Sequence, residues 1–555
     1  MSKSSDIQNT NDAISAKAKN ANTGKAAKSK ANANANKADT NTLLFNGADW
    51  DFDTLKTTYD AIEDIALNEL KLDVYPNQIE VITSEQMLDA YSSIGMPLMY
   101  HHWSFGKRFV RDDVMYRKGY QGLAYEIVIN SNPCISYVME ENTIVMQALV
   151  MAHAAFGHNH FFKNNYLFKQ WTDADGILDY LQFAKRYIAK CEDRFGFDAV
   201  ERVLDAAHAL MDQGVNRYSH PEKPNLAAEL ERERERAKYE DETYNDLWRT
   251  LPNADPDDQD MDEIQRRLRI EERRAQFGLP EENLLYFLEK NAPALQAWER
   301  EILRIVRNIG QYFYPQKQTK VMNEGCACYV HYAIMNSLYD KGLVSEGAMM
   351  EFIDSHARVV FQPEFDDQRY SGFNPYALGF AMMQDIHRMC IDPTDEDRKW
   401  FPDIAGNNDP VETLKDAWAN YRDESFILQY LSPKVMRDMR MFMIDDQISS
   451  PHLNVAAIHD DNGYRRVRRS LARMHDISVR EPDMQIVDVD LRGNRQLYVQ
   501  HTQHDGITLE KSDAEMTLGY IGQLWGYGVT MQAVDYDSGE ILHEMHFAPE
   551  DLSQS

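Results

Sequence analysis

Two short segments, far apart in the chain, set ligand-type side chains into otherwise apolar runs. In the first, Ile144–Ala152 carries only Gln147 as a polar interruption, then come His153, Gly157, His158 and His160. The second is Asn323-Glu324-Gly325-Cys326-Ala327-Cys328-Tyr329-Val330-His331. Imidazole nitrogens and carboxylate oxygens are the usual ligands for zinc and iron-type divalent metals. An ionisable side chain on a core-facing helix is costly unless it is paired or metal-bound. The chemistry these residues point to is therefore metal-assisted hydrolysis, in which a bound ion lowers the pKa of water.

Helical spacing sorts the candidates. At about 100° per residue, Glu324, Cys328 and His331 share one stripe, and His153 and His160 share another. His158 falls about 140° away from His153, so a helix break at Gly157 is expected to bring the two together. Gly325 would admit a second backbone at close range. The resulting set is His153, His158 and Glu324 as metal ligands, with His331 as a fourth ligand or as a group behind them. It is similar to the two-helix arrangement of gluzincin metalloproteases, where a second helix supplies a Glu ligand. It lacks the H-E-x-x-H spacing and the general-base Glu beside the first His.

Plainer readings stand beside this one. A core histidine can simply bond a backbone carbonyl, and Cys326 and Cys328 read as small core residues because no second cysteine pair accompanies them. His101 and His102 could reach the same pocket or cap a turn. His356 is a further candidate, with Asp385 and His387. Walker A, Gly-x-Gly-x-x-Gly and Gly-x-Ser-x-Gly motifs are absent from the sequence, leaving nucleotide hydrolysis and serine-hydrolase chemistry unsupported.

The elements that must position these residues are mostly helical. Three- and four-residue apolar spacing predicts helices from Trp50 to Leu70 and over 85–94, 140–160, 175–195 and 198–213. Helical spacing resumes at Pro280 and runs to about 444, with Pro363, Pro375, Pro393, Pro402 and Pro410 as boundaries. His101–Lys107 reads as a loop and Tyr125–Asn130 as a short strand. After Pro451 strands are expected at 484–491, 496–501 and 529–536, with turns at 492–494 and 538–539 and a helix over 513–525. The expected fold is mainly α: a large helical body over 42–445 and a small α+β domain over 446–555. Residues 222–275 read as a charged helical insertion, a solvated hairpin.

Composition narrows the function. The 555 residues carry a net charge of −30, are 43% hydrophobic and 11% aromatic, and suit a soluble globular protein. Residues 1–41 are mostly Ala, Asn, Lys, Ser and Thr without an aromatic, and read as a disordered basic tail. So acidic a body repels nucleic acid and anionic membranes. Five scattered cysteines suit reduced thiols rather than a disulfide framework. The N-terminus lacks a signal-peptide core, and the longest apolar run is too short to span a bilayer. The expected location is the cytoplasm.

Several motifs, in order, carry a family resemblance: His101-His-Trp-Ser-Phe-Gly-Lys107, Tyr125–Pro133, Ala152–Lys163, Phe313-Tyr-Pro-Gln316, Met322-Asn-Glu-Gly325, Asn374–Phe380, Trp400-Phe-Pro-Asp-Ile404 and Leu431–Arg437. Together they resemble the stage V sporulation protein R (SpoVR) family, over about residues 45 to 545. The resemblance implies a role in sporulation or stress response. It also implies association with a PrkA-type serine protein kinase and a von Willebrand A-like partner. Matched position by position, it carries over His153, His158, Glu324, His331 and His356. His153, His158, Glu324 and His356 would be metal ligands, and Glu324 and His331 the catalytic groups. Cys326 stands where the family commonly has Trp, and His160 where other residues occur, which argues against an essential role for His160. Two functions are thus expected as alternatives: a metal-dependent, peptidase-like hydrolase with a zinc or iron-type ion, or a non-enzymatic regulator or scaffold working with the kinase.

Overall fold

A computed structural model describes residues 43–93, 99–117, 126–217, 278–445, 451–452, 454–457, 460–490, 493–504 and 506–548. The expected basic tail at 1–41 and the charged insertion at 222–275 lie outside these residues. The chain is mainly α-helical with a small C-terminal α+β region, as the periodicity predicts.

Helix α1 (Phe52–Asp64) starts where Asp51 accepts the Thr54 amide at 2.7 Å, and it buries Leu55 and Ile62. It leads to a three-stranded sheet of β1 (Asn77–Ile82), β2 (Glu126–Ile129) and β3 (Cys134–Met139), in the order β1-β3-β2. β3 runs parallel to β1 and antiparallel to β2, with Glu126 opposite Val138. Of the three, only β2 is expected from the sequence. β3 is covered on both faces, so its sequence does not alternate.

Thr143 caps α2 (Ile144–Met151). The backbone then continues unbroken through a π-helical turn, Ala152–His158, into α3 (Asn159–Asn164). There is no break at Gly157. Helices α4 (Phe197–Ala209), α5 (Leu284–Asn291) and α6 (Ala297–Gln318) build one core. Helix α7 (Lys320–Asp340) runs through the other. It buries residues all round its circumference, which marks a central helix. Two glycine contacts seat it. A Cβ on Gly157 would lie 2.5 Å from Ala327 Cα, and one on Gly325 would lie 2.6 Å from Gly379 Cα.

Helices α8 (Glu346–Val359) and α9 (Pro375–Ile391) flank α7, with Asn374 capping α9 at Pro375. The first residue of α10 (Asp423–Tyr430) accepts the Val321 and Met322 amides at 2.9 Å each. A buried carboxylate thus closes the otherwise open N-terminus of α7.

A hairpin, β4 (Met443–Asp445) and β5 (Asn454–Ala457), precedes α11 (Asp461–His475), whose Tyr464, Val467, Leu471 and Ala472 join the body core around α7. The sheet unit therefore begins not at 446 but at β6 (Asp483–Val489). It continues through β7 (Leu497–Gln503), α12 (Lys511–Trp525), β8 (Val529–Asp535) and β9 (Ile541–Phe547) in the order β6-β7-β8-β9. β7 and β8 are parallel and the outer pairs antiparallel. Sheet and body share a core: Leu497, Val499 and Trp525 pack with residues of α4, α5 and α6. Glu281 and Ile486 also exchange backbone hydrogen bonds of 2.9 and 2.8 Å. Among the described residues no helix is long and apolar enough to cross a membrane.

Candidate metal centre

The π turn places the first two histidines. Its hydrogen bonds run i→i+5, so a residue five positions on lies over the first. His153 and His158 accordingly meet with ring centroids 4.7 Å apart. On the facing helix, Glu324 sits in the second turn of α7. Its Oε2 lies 3.6 Å from His158 Nε2 and 3.9 Å from His153 Nε2. The fourth group comes from the sheet: Glu126, first residue of β2, holds Oε1 3.3 Å from His153 Nε2.

These separations are informative. Hydrogen bonds between such atoms fall at about 2.7–3.2 Å. Ligands about 2.0–2.1 Å from a tetrahedral zinc stand roughly 3.4 Å from one another. Moreover, Oε2 of Glu126 and Oε2 of Glu324 are both buried without a hydrogen-bond partner. Orphaned carboxylate oxygens near two imidazoles are what a divalent cation would satisfy, and imidazole with carboxylate donors suits zinc or an iron-type ion. Ligand atoms of Glu126, His153 and His158 all lie within 4.8 Å of one another, as do those of His153, Cys328 and His331.

Behind the donors, other groups fix each ring. His158 Nδ1 bonds Asn323 Oδ1 at 2.9 Å. His153 Nδ1 meets His331 Nδ1 at 2.9 Å, and His331 Nε2 meets His356 Nδ1 at 2.7 Å. Tyr376 stacks on His153 with ring centroids 6.4 Å apart and lays its hydroxyl against Glu324. A ligating histidine is ordinarily oriented by such a bond at its second nitrogen.

Burial sets the electrostatics. It pushes the Glu126 carboxyl up to about 7, with Glu324 adding to the effect and His153 opposing it. It lowers His158 to about 4, helped by the charge on His153. Burial would also depress His153, but Glu126, then Cys328 and Glu324, hold it well above the usual imidazole range. Burial alone would raise the Glu324 carboxyl, yet the two histidines facing it keep it low.

The cluster opens on a cavity of about 1020 Å³ whose far wall includes Tyr91, Gln316, Arg358 and Asn374. His153, His158 and Glu324 converge there. His331 touches His153 rather than the common point, and His356 lies one residue further out, bonded to His331. Asp385 and His387 are elsewhere, bonded to Ser432 and Tyr329. His160 accepts the Asp73 amide at 3.0 Å. His102 does not reach the cluster: it pairs with Asp205 at 3.1 Å and with Ser104 at the start of a helix, Trp103–Arg117, that replaces the expected loop. Cys326 and Cys328 are fully buried. Glu126, Asn323 and Tyr376 are the site residues that spacing did not single out. The one available signal for Glu126 is a carboxylate opening an Ile-Val-Ile strand.

The chain matches known proteins along most of its length. Residues 49–480 fit the family described as SpoVR like protein, and 482–536 fit the SpoVR-like C-terminal domain. It is 54% identical over 503 residues to the Uncharacterized protein YcgB of Escherichia coli (strain K12), covering 91% of this chain and 96% of that relative. No solved structure gives a significant match. With both family regions matched in order and the α7 segment and its histidine-bearing partner inside the larger one, this chain belongs to the SpoVR family.

Proposed function

We propose that the protein is a metal-dependent, peptidase-like hydrolase of the cytoplasm, acting in a sporulation or stress-response pathway. His153 Nε2, His158 Nε2 and Glu324 would hold one divalent ion. A bound ion of this kind supplies Lewis acidity toward a carbonyl and toward water. Glu126 lines the same cavity, with Oε1 3.3 Å from His153 Nε2, and would hold and move a proton, the role for which the helical segments offered no glutamate. His331 and His356 orient His153, and Asn323 orients His158. The observation that carries the reading is Glu324 Oε2, buried without a hydrogen-bond partner 3.6 and 3.9 Å from two imidazole nitrogens, beside a Glu126 carboxyl whose Oε1 lies 3.3 Å from His153 Nε2 and whose Oε2 is likewise buried and unbonded.

Elemental analysis of protein purified without a histidine tag tests it. One equivalent of zinc or iron is expected, falling to background in Glu324→Ala. Metal-free wild-type protein from metal-replete cells would end the proposal.

The second reading is a non-enzymatic scaffold for a PrkA-type serine kinase and a von Willebrand A-like protein. The chain of bonds His153–His331–His356 favours it, because each of those rings is already tied to protein. A kinase complex that survives His153→Ala and Glu324→Ala, in protein that carries no metal, is the outcome that would select it.

A further inference from the structure

A second cavity lies at the seam between the C-terminal sheet and helices α4 and α5. Its volume is about 530 Å³, within the range of small-molecule sites, and its apolar floor is Leu210, Leu284, Met484, Leu518, Ile521 and Met531. Strand β7 supplies the polar feature. Its inward residues are Leu497, Val499, His501 and Gln503, so the core-facing side turns polar as the strand ends.

His501 lines the cavity and is only 4% exposed. Neither of its ring nitrogens has a hydrogen-bond partner among the described residues, and Nδ1 is wholly buried. A buried polar group without a partner is rare enough in a folded protein to need a reason. The rim carries five carboxylates, Asp212, Glu481, Asp483, Glu510 and Asp513, against Arg480. Lys317 neutralises part of that charge from just outside. The surplus is negative and repels anions.

We infer that this seam binds a small uncharged or cationic molecule with a mainly apolar body and one hydrogen-bonding group for His501. The walls come from both the helical body and the sheet, so an occupant ties the two together and raises the unfolding temperature by mass action.

Two fluorescent probes on one skeleton test the inference with the full-length protein. N-phenyl-1-naphthylamine is uncharged and carries one N–H; 1-anilinonaphthalene-8-sulfonate adds a negative charge. Each is titrated against wild type and against Ala514→Phe, which plugs the cavity from α12, and only the plug-sensitive component is scored. Thr517→Phe on the same helix replaces the plug if Ala514→Phe does not fold. The uncharged probe is expected to bind one-to-one, and the sulfonate at least about tenfold more weakly at low salt. His501→Leu is expected to weaken the uncharged probe about five- to tenfold without lowering the unfolding temperature of the free protein, since it removes an unpaired polar group. Three results would overturn the inference: no plug-sensitive binding, equal binding of both probes, or unchanged affinity in a folded His501→Leu variant, which would mean that water alone satisfies the ring.

Discussion

His153 and His158 stand five residues apart with their rings nearly perpendicular, at 86°, and their centroids 4.7 Å apart. On a regular α-helix they would point about 140° apart. A π turn brings them onto one face without breaking the chain, and such turns occur frequently at functional sites. Gly157, inside that turn, serves a different purpose from the expected break: it lets the backbone of α7 approach.

That contact predicts the first outcome. Gly157→Ala puts a methyl group 2.5 Å from Ala327 Cα, where backbone rather than a flexible side chain must move. Overpacking of this kind costs about 1–3 kcal/mol. Urea denaturation should show a loss of that size, with a parallel fall in metal content as α7 and the histidine pair are forced apart.

Metal content should respond to substitutions in two tiers. His153→Ala, His158→Ala and Glu324→Ala each delete a donor and are expected to leave no stoichiometric ion. His356→Ala deletes only an orienting bond two residues back and should weaken affinity about 10–100-fold. Competition with a chromophoric chelator measures both. Identical losses for His356 and His158 variants would place His356 among the ligands.

Stability should carry a pH signature from Asp423. Burial lifts its carboxyl to about 7, outweighing the two amides it accepts at the head of α7. The folded pKa thus lies above the unfolded one, so the native state binds more protons between about pH 4 and 7 and stability falls as pH rises through that window. Asp423→Asn removes the titration. Urea unfolding at pH 5 and pH 8 should show a smaller pH-dependent loss for the variant than for wild type, whatever the offset between them.

All five cysteines are buried. Burial also raises the thiols of Cys134, Cys326 and Cys328, so thiolate is scarce as well as inaccessible. A disulfide-exchange reagent should find almost no reactive thiol in the native protein and five in denaturant. Rapid reaction of one or two native thiols would contradict this burial.

Local pattern carried much of the fold. Helix boundaries at Pro375, Pro393 and Pro410 follow from a rigid φ and a missing N–H, which act within one turn of chain. The strands β6 and β7 alternate because one face meets the core. β3 was illegible because both its faces are covered. α11 is amphipathic in sequence, yet only the folded chain shows that its apolar stripe packs on the body.

By itself the sequence determined which residues could do chemistry, His153, His158 and Glu324 among them, since a charged or imidazole side chain in an apolar helix announces itself wherever the helix goes. It also determined that the chain is helical and acidic, and to which family it belongs. Only the tertiary structure decided how the donors meet. A π turn is invisible to 3.6-residue periodicity, and Glu126 arrives from a strand that no spacing rule connects to either helix. It likewise decided that His356 stands behind His331 rather than at the centre. Distance along the chain says nothing of distance in space once burial of α7 has drawn three separate segments around one cavity.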